Sequence, residues 1–354
     1  MNRFLPTGEH VKPLGRTLEL EDSLWLAFSG TGAEFTFTGS RCEVVIAGDN
    51  HASDAAKACD HVRLAIELDG QRVVDTMIDA AEKRCTVLQA DRAESHVVRI
   101  IKLSEAAMST CAIRAIETDA GGIRPTPSKT HLVEFVGDSI TCGYGVDDED
   151  GEHHFVTATE DVTRAYAYRT VQALNADYSM VSLSGYGIIS GYTATAEEPV
   201  TAQLIPDYYD KLGFSYGAYC GKTPADVPWD FSRRAPEVIV INLGTNDDSY
   251  CLDHADRQTL YCTQYAGFLK KVRANNPGAM LLCTLGIMGD RLYPFVEQAA
   301  AAYAAETGDT RIACMPFAPQ LAEDGYAADY HPTAVTHGKA AERLTAEIRR
   351  IMAW

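Results

Sequence analysis

Four short blocks in this chain carry residue types that together could move an acyl group. Val133-Glu134-Phe135-Val136-Gly137-Asp138-Ser139 is an apolar run that breaks at a glycine and exposes a serine. A serine hydroxyl is a weak nucleophile at neutral pH, so it needs a base beside it and donors for the charge that develops on its target. Ser184-Gly185-Tyr186-Gly187 is a glycine-rich turn whose bare backbone can present an N–H group to that charge. Gly244-Thr245-Asn246-Asp247 carries an amide able to donate to the same point, and Asp329-Tyr330-His331-Pro332 places a histidine in a loop ahead of a terminal helical stretch. Each block has a plainer use alone: the glycines as turns, Asn246 as a helix cap, His331 as a loop end before proline. Their order and placement set them apart, because the first three each follow an apolar run.

Those runs define the elements that must position the candidates. Beyond residue 132, apolar strand candidates end at Val136, Leu183, Asn242 and Leu285, with a weaker one at 311–315. Helical stretches at 162–175, at 258–275 and from the histidine loop to about Ile351 alternate with them. That alternation predicts an α/β domain, a parallel sheet with helices on both faces, whose active site gathers at the carboxyl ends of the strands. Residues before 120 read differently. Ala33–Thr38, Cys42–Ile46, His61–Leu68 and His96–Ile101 alternate with period two, and Asp69-Gly70 suits a tight hairpin turn. Eight or nine short strands predict an N-terminal, jelly-roll-like β-sandwich, a fold used both for sugar contact and for purely structural ends. Gly121-Gly122-Ile123-Arg124-Pro125-Thr126-Pro127-Ser128 interrupts both patterns, which divides the chain into 1–122, a linker at 123–131, and 132–354.

Composition narrows the chemistry. With 49 acidic against 31 basic residues, a formal charge of -18 would repel nucleic acid and anionic membranes, leaving a neutral or cationic small substrate. The first residues hold no apolar core of signal-peptide length and no stretch is apolar enough to span a bilayer, so a soluble, cytoplasmic protein is expected. Oligomeric state cannot be read. The ten cysteines are scattered without a Cys-x-x-Cys pair and read as buried reduced thiols. His153-His154 is the one tight histidine pair and reads as loop rather than metal ligand, so neither metal nor cofactor is expected. Gly213-Phe214-Ser215-Tyr216-Gly217 fits the nucleophile elbow of α/β-hydrolases, but it lacks the strand before it and the helix after it.

The blocks Gly137-Asp138-Ser139-Ile140, Gly185, Gly244-Thr245-Asn246-Asp247 and His331-Pro332 resemble the SGNH, or GDSL-type, hydrolase superfamily. Three longer stretches, 136–145, 238–247 and 331–334, resemble more narrowly the second carbohydrate esterase family, enzymes that remove acetyl groups from sugar hydroxyls. Segments 206–210 and 229–232 and the preceding β-sandwich share that likeness. The resemblance implies a carbohydrate O-acetylesterase acting on acetylated oligosaccharides, with Ser139 as nucleophile and His331 as base. The Ser139 and Gly185 N–H groups and the Asn246 amide would form the oxyanion hole. Trp229, Asp138 and Tyr186 are substrate-binding candidates, with Tyr216 and Tyr219 as further aromatic ones. An SGNH esterase for other esters, or an inactive carbohydrate-binding protein, are the alternatives. The superfamily places an aspartate three residues before its histidine, where this chain has Ala328. Asp329 stands two before, on the opposite side of an extended segment. A triad through Asp329 and a Ser-His dyad held by a backbone carbonyl both stay open.

Overall fold

The computed structural model describes all 354 residues and divides them into two compact units. The first comprises Met1–Lys129 with Val156–Val162 and Lys211–Trp229; the second comprises Thr130–Phe155, Thr163–Asp210 and Asp230–Trp354. Two segments beyond residue 132 therefore pack with the first unit, where contiguous domains were expected.

Ten antiparallel strands form the first unit. They are not all short: Gly32–Gly48 and Glu82–Lys102 pair along nearly their whole length, with register shifts at Gly39/Arg41 and Cys42/Glu43. Bulges of this kind bend a strand, so one long ribbon serves where separate short strands were predicted. Alternate side chains such as Phe35, Phe37, Val44, Ile46, Val98 and Ile100 face a common apolar core. The later segments are stitched in by hydrogen bonds. Thr157 Oγ1 donates to the carbonyls of Cys59 and His61, the Glu105 amide donates to Glu160, and Tyr216 and Asn50 share backbone bonds with Ala107 and Ala218.

In the second unit five parallel strands, β1 (Leu132–Gly137), β2 (Asp177–Ser182), β3 (Val238–Asn242), β4 (Met280–Leu285) and β5 (Ile312–Pro316), lie in the order β2-β1-β3-β4-β5. Continuous burial of β1 and β3 explains their unbroken apolar runs, since helices cover both faces of such a sheet. Besides a single turn at Ile205–Tyr208, the helices are α1 (Ser139–Cys142), α2 (Tyr166–Leu174), α3 (Thr245–Cys251), α4 (Ala255–Asn275), α5 (Tyr293–Thr307) and α6 (Ala334–Met352). α2 packs against α6, and α4 against α5. α2 begins later than its periodicity predicted, because Val162–Arg164 forms a 3-10 turn and Ala165 is extended. Strand order reverses at β1, and the register pairs Gly137 with both Ser182 and Asn242. The loops after β1, β2 and β3 thus leave one edge of the sheet at a topological switch point, the usual place for a ligand crevice.

All ten cysteines are free thiols. Cys59 and Cys220 are exposed, which departs from the expectation of general burial.

Candidate active site

Ser139 is the first residue of α1, two residues beyond the end of β1. Asp138 caps that helix, its Oδ1 accepting the Ile140 N–H at 3.0 Å, so the serine amide stands at a helix start without an intrahelical acceptor. A side chain at Gly137 would place its Cβ 2.0 Å from Thr141 Oγ1, which is why the strand can turn into the helix so abruptly only at glycine.

His331 reaches the serine from the loop between β5 and α6, its Nε2 3.0 Å from Ser139 Oγ. Its Nδ1 lies 3.2 Å from the carbonyl oxygens of both Ala328 and Asp329. Two acceptors at Nδ1 require the hydrogen there, which leaves Nε2 unprotonated and accepting from the Ser139 hydroxyl. The carbonyls converge because Asp329 and Tyr330 adopt left-handed backbone, at φ 50° and 59°, a conformation costing of order 1–3 kcal/mol per residue. Neighbouring carbonyls compensate: the amides of Ala328, Asp329 and Tyr330 donate to Asp148, His153 and Gly151. The His153-His154 loop therefore serves as scaffold for the histidine loop. Burial presses the His331 pKa down to about 4, against a smaller upward pull from the two carbonyls and the Asp329 charge.

The Asp329 carboxylate does not reach the imidazole. It accepts from the Tyr144 hydroxyl, the Phe155 N–H and His154 Nδ1 at 2.8–2.9 Å, so the geometry of the two alternatives is that of a dyad held by backbone carbonyls.

Asn246, in the first turn of α3, donates from Nδ2 to the Tyr186 carbonyl at 2.8 Å and, at the long distance of 3.5 Å, to Asp138 Oδ2, and it lines the cleft. Gly185 adopts φ +81°, and the loop after it is tied to Asp247, whose fully buried carboxylate accepts the N–H groups of Ile188, Ile189 and Ser190. Burial raises Asp247 to about 6 and Asp138 to about 7. Ser139, Gly185, Asn246 and His331 share one cleft of about 650 Å³, a size suited to a small ligand.

Three substrate-binding candidates are placed elsewhere. Asp138 is wholly buried in its capping role, and Tyr186 is 2% exposed, edge-on to Tyr208. Trp229 belongs to the first unit, its ring under the Arg16 guanidinium at 5.3 Å. Tyr216 and Tyr219 lie in that unit too, Tyr219 buried against Trp25. Ser215 of the elbow-like motif is buried in a loop, its Oγ accepting from the Gly217 N–H. The cleft is instead lined by residues that pattern reading passed over, among them Tyr144, Tyr192, Met288 and Tyr330. Their sequence signal was adjacency: Tyr144 lies five residues past the serine, Tyr330 directly before the histidine, and Tyr192 in the loop that follows Gly185.

Residues 135–339 match the GDSL-like Lipase/Acylhydrolase family, and residues 14–127 match the N-terminal domain described as Carbohydrate esterase 2 N-terminal. The chain is 30% identical over 339 residues to the cellulase/esterase CelE of Acetivibrio thermocellus, covering 93% of this chain and 38% of that protein. It thus spans well under half the length of that relative. An acetylxylan esterase / glucomannan deacetylase of Cellvibrio japonicus is 26% identical, with 98% of this chain and 90% of that protein covered. Among solved structures, a family two carbohydrate esterase from Clostridium thermocellum, in complex with cellohexaose, superposes with a TM-score of 0.83 at 27% identity, covering 97% of this chain and 99% of that one. With the family match spanning more than half of its length, the chain belongs to the GDSL-like lipase/acylhydrolase family and carries the N-terminal domain of family two carbohydrate esterases.

Proposed function

We propose that this chain is a carbohydrate O-acetylesterase that releases acetate from acetylated sugars through an acyl-enzyme on Ser139. The observation that carries the reading is the 3.0 Å approach of a neutral His331 Nε2 to Ser139 Oγ, with Nδ1 held by two carbonyls. His331 accepts the serine proton as Oγ attacks the acetyl carbonyl. The tetrahedral oxyanion sits toward the Ser139 and Gly185 N–H groups and the Asn246 amide, and His331 Nε2 then protonates the departing sugar oxygen. Water repeats the sequence on the acyl-serine and frees acetate. A sugar as the alcohol part is supported by the relatives' activities and by the rim of the cleft, where the Tyr192 and Tyr330 rings are 61% and 49% exposed and offer flat faces to a pyranose.

The test is acetate release from acetylated xylo-oligosaccharides beside long-chain esters, for the wild type and for Ser139→Ala. Activity on the acetylated sugar, lost in Ser139→Ala, is expected. Equal activity in that variant overturns the nucleophile, and a preference for long acyl chains overturns the sugar. Asn246→Ala should lower kcat roughly 100- to 1000-fold in a folded protein, the usual cost of one oxyanion donor, and near-normal turnover would remove Asn246 from that role.

A further inference from the structure

A base that works without a carboxylate partner faces a specific problem. Taking the Ser139 proton makes His331 an imidazolium, and backbone carbonyls offer it only partial charges. What this chain does place against the ring is an aromatic face. Tyr144 stacks on His331 with centroids 3.9 Å apart and planes 24° apart, and Phe155 stacks on the other face of Tyr144 at 4.0 Å and 17°. Gly143 and Gly145 flank Tyr144 at φ +83° and +60°, so the chain turns back on itself at the tyrosine. The stack is pinned from its edge. Asp329 Oδ2 accepts both the Tyr144 hydroxyl and the Phe155 N–H at 2.9 Å, while its Oδ1 accepts His154 Nδ1 at 2.8 Å.

We propose that Tyr144 is a positioning residue for His331: its ring holds the imidazole plane and attracts the imidazolium formed on proton transfer, while Asp329 acts chiefly through the ring it anchors. The inference rests on the reading of Ser139 and His331 as nucleophile and base. A cation within about 6 Å of an aromatic face is drawn to the negative side of the ring quadrupole, the more so where water is excluded. A phenol that donates to a carboxylate pushes electron density into its ring and strengthens that attraction. Other charged or titratable groups around the imidazole do not replace it. His337 on α6 is fully buried, kept neutral by burial, and accepts the Tyr166 N–H on Nδ1. His154 addresses the far oxygen of Asp329, and Glu152, on the cleft wall, meets the Tyr330 hydroxyl.

The experiment is steady-state kinetics on phenyl acetate, too small to use the sugar rim, for the wild type, Tyr144→Phe, Tyr144→Leu and Asp329→Asn, beside Ser139→Ala and His331→Ala. Tyr144→Phe keeps the face and should lose less than about fivefold in kcat, whereas Tyr144→Leu should lose roughly 10- to 30-fold with KM little changed. The acid limb of kcat/KM should move to lower pH in Tyr144→Leu, because the charged imidazole has lost a partner. Asp329→Asn still offers the tyrosine an acceptor and should fall far short of the loss of about 10⁴ seen when a triad aspartate becomes asparagine. Should the leucine variant fail to fold, Tyr144→Met tests the same loss of the ring. A folded Leu or Met variant with wild-type kcat and an unmoved acid limb, or a loss confined to KM, overturns the role of Tyr144. A loss of about 10⁴ in Asp329→Asn restores the triad. Activity surviving in Ser139→Ala and His331→Ala would instead overturn the underlying dyad, so the two failures are distinguishable.

Discussion

His331 must be neutral to accept a proton, and its surroundings make it so over an unusually wide range. Burial lowers its pKa to about 4, so the free enzyme should keep its base until pH falls close to that value. We expect the acid limb of kcat/KM near pH 4, and a limb near the ordinary histidine value of about 6.5 would contradict this environment. The same shift touches stability. Below about pH 6.5 the unfolded chain takes up a proton that the folded His331 refuses, so folding weakens as pH falls toward 4. Asp138 acts in the opposite sense: its folded pKa is raised to about 7 from 3.8, so its burial is favourable at low pH and costs stability as pH rises through that window. Asp138→Asn keeps a capping oxygen and loses the charge. Its stability relative to wild type should therefore climb between pH 4 and pH 7 in denaturant unfolding, and a pH-independent difference would refute the shift.

The loop that carries His331 depends on a neighbour from the turn that follows α1. Gly145, at φ +60°, lies so close to the histidine loop that a Cβ there would stand 2.7 Å from that of Ala328. Ala328 supplies one of the two carbonyls on Nδ1, so a push on it turns the imidazole away from Ser139. Gly145→Ala should leave the parallel sheet intact by circular dichroism while kcat falls roughly 100-fold, the scale of a misplacement of about 1 Å at a reacting group. Unchanged turnover would show that the loop tolerates the push. Asp247 plays a comparable part on the next loop, where one buried carboxylate gathers three successive amides behind Gly185. The element that carries each reacting group is thus short, and a contact from another loop holds it in place.

Over the full chain, the N-terminal unit is completed by later residues. Thr157 is wholly buried, and its hydroxyl satisfies the carbonyls of Cys59 and His61 nearly a hundred residues earlier. Thr157→Val should cost about 1–3 kcal/mol in denaturant unfolding, because it takes the donor from the buried His61 carbonyl. A loss below about 0.5 kcal/mol would mean that these bonds contribute little. The exposed large apolar side chains of this unit are Met1, Leu5, Val73, Val97 and Tyr216, with no tryptophan among them, while Trp25 is in its core. The rim of the cleft in the second unit, where Tyr192 and Tyr330 are exposed, is where we propose the sugar face.

The residues proposed to react were legible as candidates in the sequence, since Ser139, Gly185 and Asn246 follow breaks in strongly patterned elements, His331 stands in a loop ahead of a terminal helix, and such breaks in a parallel sheet fall on one edge. The strands of the second unit were legible for the same reason: a segment buried on both faces must be apolar throughout, as Val238–Asn242 is. Local pattern is silent on partners distant in the chain. It could not choose between a carboxylate and two carbonyls for His331, because the choice depends on left-handed backbone at Asp329 and Tyr330, held by hydrogen bonds from the loop's amides to the carbonyls of Asp148, Gly151 and His153. It could not tell that Tyr186 and Asp138 face inward, or that Tyr144 lies on the imidazole. Side-chain period is a property of one segment, whereas the orientation of a catalytic ring is set by the meeting of several, and only packing brings those together.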